Sequence, residues 1–270
     1  MNIQILICTC NDRINFAEQV INSFDPRISY LISHQVFDGR DYDTSHPTIE
    51  KLNNRTDVSY SQIHSQGLSK NRNNCLSQAT SDILIFADDD VQYSSSQLAM
   101  LIQMFEDNKT IDGVTFKIDT KSEKAFKKYK NHSFKHNSMS IMKVSSIEIA
   151  LRRTFIVENQ LAFDERFGLG TKFPSSEENI FLHDALNKNA TFLFIPKFVV
   201  SHPAESSGKL WYNIRLIEAK GALFRRLYGL KGLALLIIFA LKKWPEYRVH
   251  ISFLKFCKLS LSSFLQLEKK

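Results

Sequence analysis

The chain has 270 residues, 43% of them apolar, which is enough for one large domain with an appendage. Its net charge of +7 suits an anionic partner such as a nucleoside diphosphate or an anionic membrane, and with no DNA- or RNA-binding motif of the usual kinds, nucleic acid is excluded as the expected partner. The cysteines, Cys8, Cys10, Cys75 and Cys257, offer neither a disulfide framework nor a second metal-binding pair; three fall on predicted buried faces, as expected of reduced thiols in a cytosol.

In chain order the pattern alternates between strands and helices. The start, Met1-Asn2-Ile3-Gln4, lacks the basic start and long apolar run of a signal peptide and enters a strand over 3–9. The turn Cys10-Asn11-Asp12-Arg13 leads into a helix to about residue 24, and a second strand covers 28–36. Residues 37–56 are polar and weakly patterned, with at most one helical turn near Ile49; loops of that length are usually functional or mobile. A strand over 58–63, a helix over 67–79 and a strand over 82–87 follow. Such alternation argues for a parallel sheet with right-handed crossovers. Beyond it we expect a helix over 94–105, strands over 112–118 and 145–151, a short helix after Arg152-Arg153, and a last strand over 191–200. Before that strand, Ser175-Ser176 suits the N-cap of a helix running to about 187, with Glu177 and Glu178 in its first turn.

Ile83-Leu84-Ile85-Phe86-Ala87 runs directly into Asp88-Asp89-Asp90. The apolar run fits a strand buried on both faces, and ligands of open α/β sheets gather at the carboxyl ends of such strands. Three adjacent carboxylates repel one another, so a hard divalent cation shared with phosphate oxygens fits there; an acidic turn capping the next helix is the plainer alternative. Gly67-Leu68-Ser69-Lys70-Asn71-Arg72-Asn73 opens a helix with two cations, either an anion site or a solvated face. The lysines between Lys117 and Lys135, interleaved with Phe126, Tyr129 and Phe134, are either solvated or attract an anionic acceptor. His202 follows the last strand, where a lone histidine is most often polar surface or satisfied core.

After residue 209 the character changes. Residues 210–227 are amphipathic, 233–241 are continuously apolar between Lys231 and Lys242-Lys243-Trp244, and 251–267 repeat the theme. The apolar run is far short of the roughly 20 residues that span a bilayer, and its basic flanks fit a helix lying in the membrane surface; a helical subdomain or a dimer contact is the other reading. The expected division is a catalytic domain over 1–205 and a membrane-associated helical region over 206–270.

Taken together, residues 3 to 203 resemble the family 2 glycosyltransferases of the GT-A fold, by the order and spacing of several motifs. Thr9-Cys10-Asn11-Asp12-Arg13 resembles the family's nucleotide-binding turn, and the segment from Gly67 to Asn73 its glycine-to-Arg-Asn helix start. Asp88-Asp89-Asp90 is similar to its DxD motif, and Ile149 to Arg153 to the strand leading to its acceptor-side helix. Glu177-Glu178 stands where the family has Glu-Asp, and His202 matches the histidine that often completes the metal site. Two departures stand out: Ser33-His34-Gln35-Val36-Phe37-Asp38 lacks an acid directly after the second strand, leaving Asp38 or Gln35 to meet the base, and the second acid is Glu178 instead of Asp.

The resemblance implies an α/β GT-A fold, a mainly parallel Rossmann-like sheet flanked by helices, with a C-terminal helical extension. It implies an inverting transfer of a sugar from a nucleoside-diphosphate sugar, expected to be a UDP-sugar, to a hydroxyl of a saccharide acceptor. The acceptor is expected to be lipid-linked, in bacterial surface-polysaccharide synthesis on the cytoplasmic face of the cell membrane. Thr9, Asn11, Arg13, Gln35, Asp38, Lys70, Arg72, Asp88 and Asp89 are the expected donor contacts. Asp90 and His202, with Asp88, would hold Mn²⁺ or Mg²⁺, and Glu178 would be the base with Glu177 beside it. Gly168 and Gly170 would let backbone approach the sugar. Two other readings compete. A nucleotidyltransferase would want a glycine- and lysine-rich loop after the first strand, and Cys10 to Ile14 contains no glycine. An inactive scaffold protein on the same fold would be expected to lose the acids, and all are present.

Overall fold

The computed structural model describes residues 1–22, 24–120, 122, 125–202 and 213–267. The expected boundary at 205/206, the start of the tail at 209–212, and Lys121 and Lys124 of the basic stretch lie outside them. The frame is one nine-stranded sheet. Its strands are β1 (Ile3–Cys10), β2 (Ile28–Gln35), β3 (Val58–Ile63), β4 (Ile83–Asp88), β5 (Gln92–Tyr93), β6 (Gly113–Asp119), β7 (Phe134–Lys135), β8 (Ile149–Arg152) and β9 (Phe192–Ser201). The order is β3-β2-β1-β4-β8-β6-β9-β5, with β7 also on β9.

The parallel half, β3-β2-β1-β4, follows from the sequence. Ile3, Ile5, Leu6 and Ile7 of β1 and Ile83 to Ala87 of β4 are all buried, as apolar runs covered on both faces must be. In register, Cys8 lies beside Asp88, so the carboxyl ends of β1 and β4 open at the same edge. The other half departs from an all-parallel sheet: β8 runs antiparallel to both β4 and β6. Its start is also later than expected. Residues 146–148, expected as strand, form a 3-10 turn closed by a Ser145–Glu148 capping box, and pairing begins only at Ile149.

The helices are α1 (Ile14–Ala17), α2 (Pro47–Asn53), α3 (Leu68–Gln78), α4 (Ser95–Asp107), α5 (Arg153–Glu158), α6 (Glu177–Asn187), α7 (Ile214–Tyr228), α8 (Gly232–Tyr247) and α9 (Phe253–Gln266). The helix after β1 is shorter than expected: it breaks into 3-10 turns around α1 and ends at Val20, where Tyr30 Oη accepts the Asn22 backbone N–H. The 37–56 loop holds more order than expected, because Pro47 starts the two-turn α2 and Thr48, Ile49 and Leu52 are buried. Ser176 does not cap α6 with its side chain; its φ of +76° makes the turn instead. Cys8 and Cys75 are buried, Cys10 and Cys257 half-buried, and all are free thiols.

The C-terminal helices are packed onto the sheet domain. Ala219, Ala222, Leu223 and Leu227 of α7 share a core with Phe167, Phe173 and Ile180. Arg226 donates to Asp164 (2.9 Å) and to Asp184 (2.6 and 3.1 Å). Burial works against the Asp164 charge, but Arg166 and Arg226 hold its carboxyl down at about 2. Where α7 meets α9, a Cβ on Gly221 would lie 1.9 Å from the Ser260 carbonyl oxygen, so only glycine permits this approach. Among the described residues, no helix is long and apolar enough to cross a membrane.

Candidate active site

At the shared carboxyl edge of β1 and β4 lies a cavity of about 610 Å³, within the range that holds small ligands. Thr9, Arg13, Gln35, Asp88, Asp89, Asp90 and His202 line it. These come from four separate stretches of chain, and the sheet brings them together.

Within the acidic triplet the three carboxylates do different things. Asp89, 3% exposed, accepts from Thr9 Oγ1 at 2.7 Å and from Arg13 Nε at 3.0 Å, and also pairs with Arg13 Nη2. Burial raises its carboxyl, and the Arg13 and Thr9 bonds pull it back. Asp89 is therefore the clamp that fixes the turn after β4. Asp88 Oδ1 instead faces Arg72 Nη2 at 3.4 Å. Asp90 stays open: Oδ1 has no hydrogen-bond partner and lies 3.5 Å from His202 Nε2, while Oδ2 lies 3.3 Å from Arg13 Nη2.

This arrangement bears on a divalent cation. An orphaned carboxylate oxygen next to an imidazole, both on the cavity wall, fits a cation that takes one or two protein ligands and completes its shell with phosphate oxygens and water. Among the described residues no three His, Cys, Asp or Glu side chains form a metal cage. Asp88, Asp90 and His202, the three expected ligands, all line the cavity, with one Asp88 oxygen, Oδ1, 3.4 Å from Arg72 Nη2.

Other expected donor contacts are displaced. Asn11, at φ +47°, serves the turn: its side chain accepts the Phe37 backbone N–H (3.0 Å) and its carbonyl accepts from His34 Nε2 (2.9 Å). Asp38 points away from the cavity, accepting from Tyr42 Oη at 2.8 Å and pairing with Arg40. Phe37 takes its place on the wall. Gln35 does line the cavity, with its amide donating to Ser65 Oγ (2.9 Å) and the Gly67 carbonyl (3.1 Å). Lys70 is exposed and off the wall, since α3 turns it outward. Asn71, not among the expected contacts, is on the cavity wall: its Nδ2 donates to the Thr9 carbonyl at 2.9 Å, while its buried Oδ1 has no partner. The signal was present, since Asn71 is one helical turn after Gly67.

Arg72 does not reach the cavity either. It is 2% exposed and its guanidinium is shared among Glu177 Oε1 (2.8 Å), Ser146 Oγ (2.7 Å) and Asp88. Instead of meeting a diphosphate, it joins the acidic turn to the first turn of α6. Glu177 is buried on this ion pair. Glu178 is half-buried and does not line the cavity. Burial, and then the adjacent Glu177 carboxylate, push its carboxyl up to about 8, with Arg72 and Lys220 pulling the other way. A carboxyl titrating near neutrality is what general-base chemistry needs.

Two loops close the site. Gly168 and Gly170, at φ +103° and +78°, bring their backbone against the start of α3, where Leu68 N–H donates to the Leu169 carbonyl (2.8 Å) and Ser69 Oγ to the Phe167 carbonyl (2.6 Å). Gly168 closes on Ser69 of α3 and Glu177 of α6, and Gly170 on Gln66 and Gly67; Gly170 also lines the cavity. On the far side Phe126 packs edge-on to His202 with ring centroids 5.7 Å apart. The basic stretch is anchored there, with Lys127 paired to the buried Glu148 and Tyr129 Oη donating to it at 2.5 Å. The lysines on either side of this anchor are partly used in packing: Lys117 and Lys130 lie over Phe198 and Phe134.

Comparison with known proteins agrees with this geometry. The family model described as Glycosyl transferase family 2 matches residues 5–169. Among solved structures, S. aureus TarS 1-349 superposes with a TM-score of 0.65 at 16% identity, covering 98% of this chain and 80% of that one. TarS 1-349 in complex with UDP-GlcNAc gives 0.66 at 16% identity, covering 98% and 81%. The mannosyltransferase PcManGT from Pyrobaculum calidifontis, in complex with GDP-Man and Mn²⁺, gives 0.60 at 12% identity, covering 98% and 87%. No curated protein matches the chain. At these identities the superpositions speak to the fold, which is that of the GT-A glycosyltransferases.

Proposed function

We infer from the chain's membership of glycosyl transferase family 2, to which it belongs, that it moves a sugar from a nucleoside-diphosphate donor to an acceptor hydroxyl with inversion at the anomeric carbon. The observation that carries this reading is the continuity of the site: the cavity's acidic turn is joined through Asp88, Arg72 and Glu177 to Glu178. The donor lies in the cavity, its diphosphate toward Asp90 and its nucleoside toward Thr9, Gln35 and Phe37. Asp90 and His202, with Asp88 beside them, would hold Mn²⁺ or Mg²⁺, which would supply Lewis-acid neutralisation of the leaving diphosphate.

Glu178 accepts the proton of the acceptor hydroxyl as its oxygen bonds to the anomeric carbon. The carbon–oxygen bond to the diphosphate breaks, and the nucleoside diphosphate leaves with that electron pair. With a single base and no covalent enzyme intermediate, one in-line displacement inverts the configuration. Glu177, held by Arg72, fixes the first turn of α6 and does not itself take the proton. Titration of the protein with UDP- and GDP-sugars in the presence of Mn²⁺, read as a rise in melting temperature, tests donor binding. A rise with at least one nucleotide sugar is expected, and none with the whole panel would sink the reading.

The acceptor is proposed to be a lipid-linked saccharide at the cytoplasmic face of a bacterial membrane, in surface-polysaccharide synthesis. What supports attachment is α8, where Leu233, Ile237, Ile238 and Leu241 are all exposed along one side. Leu254 and Leu265 of α9 are exposed as well, and Lys231, Lys242 and Arg248 flank the apolar stripe. An amphipathic surface with basic edges inserts shallowly into anionic bilayers. Each fully buried Leu or Ile side chain is worth about 1.5–3 kcal/mol. Ile238→Glu combined with Leu241→Glu is therefore expected to lower co-sedimentation with phosphatidylglycerol vesicles by at least about tenfold. A wild-type protein that ignores such vesicles at low salt would rule the attachment out.

A further inference from the structure

Among the described contacts of the C-terminal helices, one reaches the start of α6 beside Glu177 and Glu178. Lys220, half-buried on α7, donates from Nζ to Ser176 Oγ at 2.7 Å. Ser176 immediately precedes Glu177 and Glu178 and holds the left-handed conformation at the start of α6. A non-glycine residue at positive φ is uncommon and persists where its surroundings fix it. The Lys220 hydrogen bond is one such constraint.

Glu178 is faced by Glu177 on its own helix, by Arg72 of α3 and by Lys220 of α7. Arg72 gives its guanidinium to Glu177, Ser146 and Asp88. Lys220 is the second cation, and it is faced in turn by Glu178, Glu177 and, from α8, Lys243. Burial lowers the Lys220 pKa while the two carboxylates oppose that. α7 is fixed against the sheet domain by the Arg226 pairs with Asp164 and Asp184 and by Ala219, Ala222 and Leu223 in the core they share with Phe167.

We propose that Lys220 is a positioning residue for the transfer reaction: anchored on Ser176, it fixes the first turn of α6 and places a positive charge beside Glu178, so that the C-terminal helices complete the site. This rests on Glu178 being the base. A cation close to a carboxylate favours its charged form, so removing the cation raises the pH at which the carboxylate forms.

The test is the pH dependence of turnover for the full chain at saturating donor and acceptor. Lys220→Met is expected to move the acid limb upward by about one pH unit. Turnover at pH 7 then falls by about tenfold and recovers above the limb, with donor KM unchanged. Lys220→Arg should restore the wild-type limb. Lys220→Gln keeps a hydrogen bond to Ser176 and removes only the charge, so it reports the same upward move where methionine fails to fold. If Lys220→Gln loses activity equally at every pH, or leaves the limb in place, Lys220 is merely structural and the proposal falls. Glu178→Gln, measured in parallel, separates the premise: an inactive Glu178→Gln with an unmoved limb in Lys220→Gln overturns the role of Lys220 alone. An active Glu178→Gln overturns both.

Discussion

Replacing Glu178 by glutamine lowers turnover by at least about a hundredfold, the low end for loss of a positioned general base. Glutamine keeps the size and hydrogen bonding of the side chain but cannot accept the proton. Donor affinity hardly changes, because Glu178 stands outside the cavity wall. In the wild type, the carboxyl near 8 must lose its proton to act, so turnover rises with pH through about 8 and is low in acid. Glu177→Gln behaves differently. It takes from the Arg72 guanidinium, 2% exposed, the nearer of its two charged partners, leaving Asp88 at 3.4 Å. Breaking a buried ion pair outright costs about 3–5 kcal/mol, an upper bound here because Asp88 and Ser146 remain, so the main effect is a lower melting temperature. Turnover at matched folded fraction, with thermal melts of both variants, checks this. A live Glu178→Gln beside a folded but dead Glu177→Gln would reverse the assignment.

The second large effect falls on Asp90. Its Oδ1, close to His202 Nε2, is a buried carboxylate oxygen on the cavity wall that no hydrogen bond satisfies. Asp90→Ala abolishes transfer and weakens Mn²⁺ binding at least about tenfold, the scale of losing a charged contact. The fold persists, because Asp90 lies half-buried on the cavity rim. Asp89→Ala contrasts with it: loss of the clamp on Thr9 and Arg13 costs stability as well as activity. Manganese binding followed by paramagnetic resonance, with and without UDP, distinguishes them. Full activity in EDTA would remove the metal from the account.

Much of this was legible because apolar period and position carry direct physical meaning. The runs in β1 and β4 are buried on both faces, so the sequence there reads as parallel strands without knowledge of partners. The acidic triplet reads as a site because it ends such a strand. The direction of β8 did not follow, since nothing local distinguishes a strand that enters from a 3-10 turn and pairs backwards. Side-chain allegiance was the least legible. Arg72 and Lys70 are two residues apart on one helix, yet one is sealed against Glu177 and the other is in solvent. Sequence places both near an anion, and only the packing of α6 on α3 decides which is buried. Asp38 was drawn off by Tyr42 and Arg40, partners that pattern alone does not pair. The contact of Lys220 with Ser176 bridges 44 residues. It depends on how α7 docks, which helical periodicity leaves open.

The most direct measurement is product analysis with a panel of UDP- and GDP-sugars and Mn²⁺, using water and then simple saccharides as acceptors. The account predicts release of a nucleoside diphosphate from at least one donor, dependent on Mn²⁺ and greatly reduced in Glu178→Gln, with the sugar recovered in the inverted anomeric form. Pyrophosphate from a nucleoside triphosphate and a sugar phosphate, with every nucleotide sugar left intact, would contradict it and indicate nucleotidyl transfer.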